Sequence, residues 1–242
     1  CNSLQGKVPS IADIMESHDL FRHMTTGTKE SFKAHVRTQS FAKGNIIFLA
    51  DDPAEWGYIV RKGWVKLFRE ALNGAEATID VLPPGSLFGE TAPFENGLYS
   101  YGVEVIEAVE LFAFPLSLFK EEAARNQDFS MALLQHISRK GLMKDKETEL
   151  RAIQNAPQRI GCFLLRLCKD NEEGAITLTL PWEKALIAAR LGMTPETFSR
   201  SLAKLQRDLQ LVIKGPQVEI GDFDALIRYT CSACSNVFPC DN

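Results

Sequence analysis

The stretch Leu180–Ile213, LPWEKALIAARLGMTPETFSRSLAKLQRDLQLVI, reads as two short helices on a tight turn followed by a strand. Pro181 suits the start of the first helix, where a missing N–H costs nothing. Ala185, Leu186, Ala189 and Leu191 give that helix an apolar side, and Gly192 ends it. Thr194 is then a good N-cap, with Pro195 at N1 and the acidic Glu196 at N2. Phe198, Leu202 and Leu205 follow at steps of four and three, the spacing of one buried helix face. The opposite face carries Glu196, Ser199, Arg200, Ala203, Lys204 and Arg207.

An ordinary helical hairpin with a solvated outer face would show the same periodicity, and charge separates the two readings. Between Lys184 and Lys214 six basic residues face only two acidic ones, inside a chain of net charge −4. A local positive field is what phosphate binding requires. Leu211–Ile213, a Lys-Gly-Pro-Gln turn at 214–217 and Val218–Ile220 then form a small hairpin of the kind called a wing. The spacing therefore predicts a winged helix–turn–helix. Its second helix would enter the major groove of double-stranded DNA and bring its N-terminal residues to the base edges.

Working outward, residues 10–38 read as helical, and 41–115 as short β-type runs broken by Gly and Pro. The runs are 45–49, 56–60, 64–69, 77–82 and 103–114, with turns at Asp51-Asp52-Pro53, Lys62-Gly63, Asn73-Gly74 and Pro83-Pro84-Gly85. Many short strands at this spacing point to an antiparallel barrel or jelly roll. A long helical pattern fills about 117–154, with Phe129, Leu133, Leu134, Ile137 and Leu142 as an apolar stripe. Pro157 then opens a second domain, with a buried helix at 158–168 and a strand at 175–180. The expected class is α+β. Residues 1–155 form a β-roll with the long helix, and 156–242 a winged-helix domain with a cysteine-containing tail.

Length and composition bound the alternatives. A chain of 242 residues is long enough for two domains, and 45% hydrophobic with 24% charged residues argues against wholesale disorder. No apolar run approaches the ~18 residues that span a membrane, so a cytoplasmic protein without a membrane partner is expected. The β-type region contains no histidine, which excludes a His-built metal active site on the roll. Nor does the chain hold a G-x-S-x-G elbow, a P-loop or a dinucleotide fingerprint. An enzyme is not expected.

The run MTPETFSRSLAKLQRD at 193–208 resembles the recognition helix of the CRP/FNR family of bacterial transcription factors. It is most similar to the nitric-oxide-responsive dissimilatory nitrate respiration regulators, which share a P-E-T-F-S-R run. Lys43-Gly44, Arg61–Leu67 and Pro84–Glu90 resemble the recurrent glycine turns of the family's cyclic-nucleotide-binding-type roll. The resemblance implies that the long helix is a dimerisation helix, with Leu133, Leu134 and Ile137 at a homodimer seam. It implies that Glu196, Ser199 and Arg200 contact bases in a near-palindromic operator of TTGAT-like half-sites, with Thr197, Lys204, Arg207 and Lys214 on phosphates. It further implies an activator that meets RNA polymerase.

One departure concerns the ligand. Cyclic-nucleotide-binding relatives pair a ribose-holding glutamate with an Arg-Ser or Arg-Thr pair that neutralises the cyclic phosphate. Here Glu90 is present, but the pair reads Ser100-Tyr101. A buried phosphate without its cation forfeits a charge-assisted contact, so cyclic AMP is not the expected ligand.

Six cysteines lie at 1, 162, 168, 231, 234 and 240. Cys162 and Cys168 fall within an apolar helix and read as small core residues. Cys231, Cys234 and Cys240 form a C-x-x-C pair with a third thiol close by, a pattern that converges on a metal. An iron–sulfur cluster, or less suitably zinc, would need a fourth ligand; a redox dithiol or an incidental tail remains open. By resemblance, SHDLF around His18 is similar to the N-terminal helix of haem-using relatives, though a solvent-exposed helix position is the simpler reading of His18.

Overall fold

The structure, a computed structural model, describes residues 10–71, 73–168, 176–180 and 183–232. It divides into two compact units, Cys1–Arg139 and Lys140–Asn242.

The first unit opens with three helices, α1 (Ile11–Ser17), α2 (Asp19–Arg22) and α3 (Thr26–His35). Ser10 and Asp13 close a capping box on α1, and Thr25 caps α3. The roll follows: β1 (Arg37–Phe41), β2 (Ile46–Phe48), β3 (Trp56–Glu70), β4 (Glu76–Leu82), β5 (Leu87–Phe88) and β6 (Gly102–Pro115). Its sheet runs in the order β1-β6-β3-β4, with β2 on β6 and β5 on β3, and these pairings are antiparallel. Phe21, Phe32, Phe114, Phe119 and Phe129 are fully buried and knit the helices to the roll, with Phe32 and Phe114 ring centres 4.9 Å apart. Each such ring stabilises the fold by roughly 1.5–3 kcal/mol through burial.

Two expectations about this unit need correction. Lys62-Gly63 is not a turn between two strands; β3 continues through it, with register shifts against β6 on both sides. Gly63 adopts φ +79°, and a Cβ there would sit 2.3 Å from the Ala108 carbonyl oxygen, so the bulge needs glycine. The long helical pattern is likewise two helices, α4 (Leu116–Arg125) and α5 (Gln127–Ile153). Asn126, in an extended conformation, breaks them apart. Its side-chain oxygen accepts from the Phe129 N–H, and its amide donates to Glu122 and to the His23 carbonyl.

The second unit takes the distal part of α5, so the division falls inside this helix. It adds α6 (Ala156–Leu167), β7 (Ile176–Thr179), α7 (Lys184–Arg190), α8 (Pro195–Leu209), β8 (Val212–Lys214), β9 (Gln217–Ile220) and α9 (Phe223–Cys231). The three strands pair antiparallel in the order β7-β9-β8. Asn155 and Gln158 close a capping box that starts α6. Pro181 lies outside the described residues, and α7 begins at Lys184. The apolar core gathers Ile160, Leu164, Ile187, Phe198, Leu202, Leu205, Val218 and Leu226.

Candidate nucleic-acid interface

The recognition element is built from its first residue. Thr194 Oγ1 accepts the Thr197 N–H at 3.2 Å, and Pro195 sets the first helical φ. The inward face of α8, Phe198, Ser201, Leu202 and Leu205, is buried. That leaves Glu196, Ser199, Arg200, Lys204 and Arg207 exposed together, with Thr197 half-buried at the same end. The Glu196 carboxyl is held below its ordinary range by its own backbone N–H, then by the Thr194 hydroxyl and the charge of Arg200. It stays an anion able to accept a base amino group, beside a guanidinium able to donate to guanine.

The flanking cations sit in light restraints. Lys204 Nζ donates to Asp208 Oδ2 at 2.7 Å, an exposed i,i+4 pair to which the Tyr229 hydroxyl also donates. In the wing, Lys214 pairs with Glu219 at 3.2 Å across the hairpin. Exposed pairs of this kind yield readily to a polyanion. α8 ends on Gln210 in the left-handed conformation, φ +52°, and Leu211 is buried immediately after.

At the roll, the residues that the sequence singled out are drawn together differently from a phosphate cradle. The Gly89 N–H donates to the Tyr101 hydroxyl at 2.9 Å. Burial and the neighbouring Glu90 charge push the Tyr101 hydroxyl well above its ordinary pKa. Phe48 stacks on Tyr99 with centroids 3.6 Å apart, and Tyr58 stacks on Phe88. Glu90 is fully buried and its Oε1 lies 3.2 Å from His136 Nε2, on the proximal part of α5. Sequence reading missed His136, since nothing local marks a contact across so long a separation.

His18 caps α2, its Nδ1 accepting the Leu20 N–H at 3.3 Å, and its ring lies 5.6 Å from that of His136. With Asp19, His23, Gln135 and Arg139 these rings line a cleft of about 490 Å³. An imidazole there suits an iron ligand, but the Asp19–Arg139 ion pair makes the wall polar, a poor match for the apolar faces of a haem. Cys231 is the last residue of α9 and half-buried; Cys234 and Cys240 lie outside the described residues. Among the described residues, no three His, Cys, Asp or Glu side chains are placed to hold a metal ion. Of the seam residues, Leu133 is buried in the roll's own core at 5% exposure, whereas Leu134 is 60% and Ile137 37% exposed. Leu133 therefore does not share an exposed stripe with the other two.

An antiparallel roll followed by a winged helix–turn–helix with a basic outer face defines a DNA-binding transcription regulator, not an enzyme. Residues 38–126 match the cyclic nucleotide-binding domain and residues 158–229 the Crp-like helix-turn-helix domain. The chain is 30% identical to the global nitrogen regulator of Nostoc sp., over 84% of its own length and 91% of that protein's. It is 23% identical to the CRP-like cAMP-activated global transcriptional regulator of Mycobacterium tuberculosis, over 89% and 98%. The solved structure of a CRP/FNR-family transcriptional regulator of Thermus thermophilus superposes with a TM-score of 0.62 at 25% identity, covering 81% of this chain and all of that one. The chain belongs to the CRP/FNR family of transcription regulators. Among the described residues, no helix is long and apolar enough to cross a membrane.

Proposed function

We propose that this regulator works in the cytoplasm as a homodimer and answers a redox or gas signal, oxygen or nitric oxide, rather than cyclic AMP. The observation that carries the choice of signal is at the roll. Where nucleotide-binding relatives place an Arg-Ser or Arg-Thr pair, this chain places Ser100-Tyr101, and the Tyr101 hydroxyl is engaged by the Gly89 N–H. Glu90 is at the same time engaged by His136. Neither Ser100 nor Tyr101 carries a cation for a cyclic phosphate. The signal-receiving group is proposed at the tail thiols Cys231, Cys234 and Cys240, as an iron–sulfur cluster or, failing that, zinc. A haem at His18 is the second reading, favoured only by the imidazole in the polar cleft. On DNA, Glu196, Ser199 and Arg200 read a TTGAT-like half-site, and Thr197, Lys204, Arg207 and Lys214 hold phosphates. The bound dimer is proposed to activate transcription through RNA polymerase.

The deciding experiment is the ultraviolet–visible spectrum of protein purified without air, with iron, sulfide and zinc assays on the wild type and Cys234→Ser. Broad absorption with stoichiometric iron and sulfide, lost in the variant, is the expected result. A Soret band lost in His18→Ala would move the sensor to the first unit. Saturable tightening of DNA binding by cyclic AMP would overturn the proposal.

A further inference from the structure

The distal part of α5 and the helix–turn–helix meet through polar atoms. Glu147 Oε1 accepts from Arg190 Nη2 at 2.6 Å, with the two side chains only 27% and 20% exposed. Arg151, one helical turn further on, donates its Nη2 to the main-chain carbonyl of Arg190 at 3.3 Å. Residues four apart share a helix face, so one face of α5 grips the last residue of α7 twice, by side chain and by backbone. The Arg151 guanidinium also lies along Gly192, where a Cβ would meet its Nε at 3.5 Å. Gly192, at φ +64°, is the turn between α7 and α8. The Glu147 carboxylate is desolvated, which opposes its charge, yet Arg190, Arg166 and Arg151 hold it below its ordinary range.

What this grip supports can be read from the core. The helix–turn–helix packs itself, through Ile187 and Ala188 of α7 against Phe198, Leu202 and Leu205 of α8. Among the described residues, that buried core includes no side chain from 140–153. Folding of α7 and α8 is thus provided for without α5, and the polar grip adds a fixed orientation. We propose that Glu147 and Arg151 are positioning residues for DNA reading, clasping Arg190 and the Gly192 turn so that α8 is presented at one angle to the distal part of α5. The inference rests on the DNA-binding function of the family and adds to it a device that no base or phosphate contact requires.

The test uses the full chain and a duplex selected from randomised DNA by the wild type. Affinity, its salt dependence and the thermal midpoint are measured for Glu147→Gln, Arg190→Gln and the exchange Glu147→Arg with Arg190→Glu. The clasp predicts about a tenfold loss of affinity in each single variant, with the salt slope and thermal midpoint unchanged. It predicts recovery of affinity in the exchange variant. If Arg190 instead contacts a phosphate, Glu147→Gln binds more tightly and Arg190→Gln flattens the salt slope by about one per subunit; that result would overturn the proposal. Equal affinity in all variants would do the same. So would a fall in midpoint that tracks the loss of affinity and is not recovered by the exchange. A wild type that selects no sequence would sink the DNA-binding function itself, a failure separate from that of the clasp.

Discussion

At the scale of single residues, Arg200 and Glu122 show two uses of a fixed charge. Arg200 stands on the exposed face of α8, six residues past the Thr194 cap, where a planar guanidinium can donate twice to guanine O6 and N7. Arg200→Ala is expected to cost about 1–3 kcal/mol on the selected duplex and to relax the guanine position; competition binding with single-base variants checks it. Lys204→Ala should instead weaken all sequences alike and flatten the salt slope by about one per subunit. Glu122 is buried and inward-facing. It accepts from the Thr25 N–H at 2.7 Å, the Thr28 hydroxyl and the Asn126 amide, holding the start of α3 and the α4–α5 break together. Burial opposes its charge, but these donors outweigh burial and the pKa falls below the usual 4.5. A lowered folded-state pKa gives stability that is present above the unfolded value and lost as pH falls through the folded one. Thermal midpoints of the wild type and Glu122→Gln should therefore differ most at neutral pH and converge as pH falls through the lowered folded-state pKa.

At the scale of elements, α5 shows how much of the molecule can be read from its sequence and where reading stops. The apolar stripe was legible, but Leu133 and Leu134 are adjacent, and helical periodicity cannot say which of two neighbours turns inward. Packing against the roll decides it: Leu133 joins Phe129 and Ala132 in the core. Leu133→Ala should cost roughly 2–5 kcal/mol of stability without altering the oligomeric state. Leu134 and Ile137 stay exposed, and Ile137→Asp should yield monomers with poor operator affinity while the fold survives; light scattering and circular dichroism separate the two outcomes. The β3 bulge was illegible for a similar reason, since Gly63 carries the same turn chemistry whether the chain reverses or merely kinks. The recognition helix was legible nearly to the residue, because its cap, its proline and its buried step of four and three are all local. The contacts His136–Glu90 and Arg190–Glu147 join residues 46 and 43 apart in the chain, and no local pattern announces them.

At the scale of the whole molecule, the proposed homodimer would place two α8 helices in successive major grooves on one face of the duplex. The selected sites should then be near-palindromic, with half-site centres about one helical turn apart. Inserting five base pairs between the half-sites should reduce affinity to that of a single half-site, as measured by gel shift. How tightly each subunit can hold its register depends on the left-handed Gln210. Because its N–H closes back on Gln206 and Leu211 plugs into the core at once, α8 and the wing have no slack between them. On the proposed DNA complex they would act as one geared part: turning the helix in the groove would swing the wing along the phosphates by a fixed amount. One added residue between Gln210 and Leu211 would throw the two out of phase, whereas the open turn at Gly215, where a side chain meets nothing within 4 Å, would absorb the same insertion.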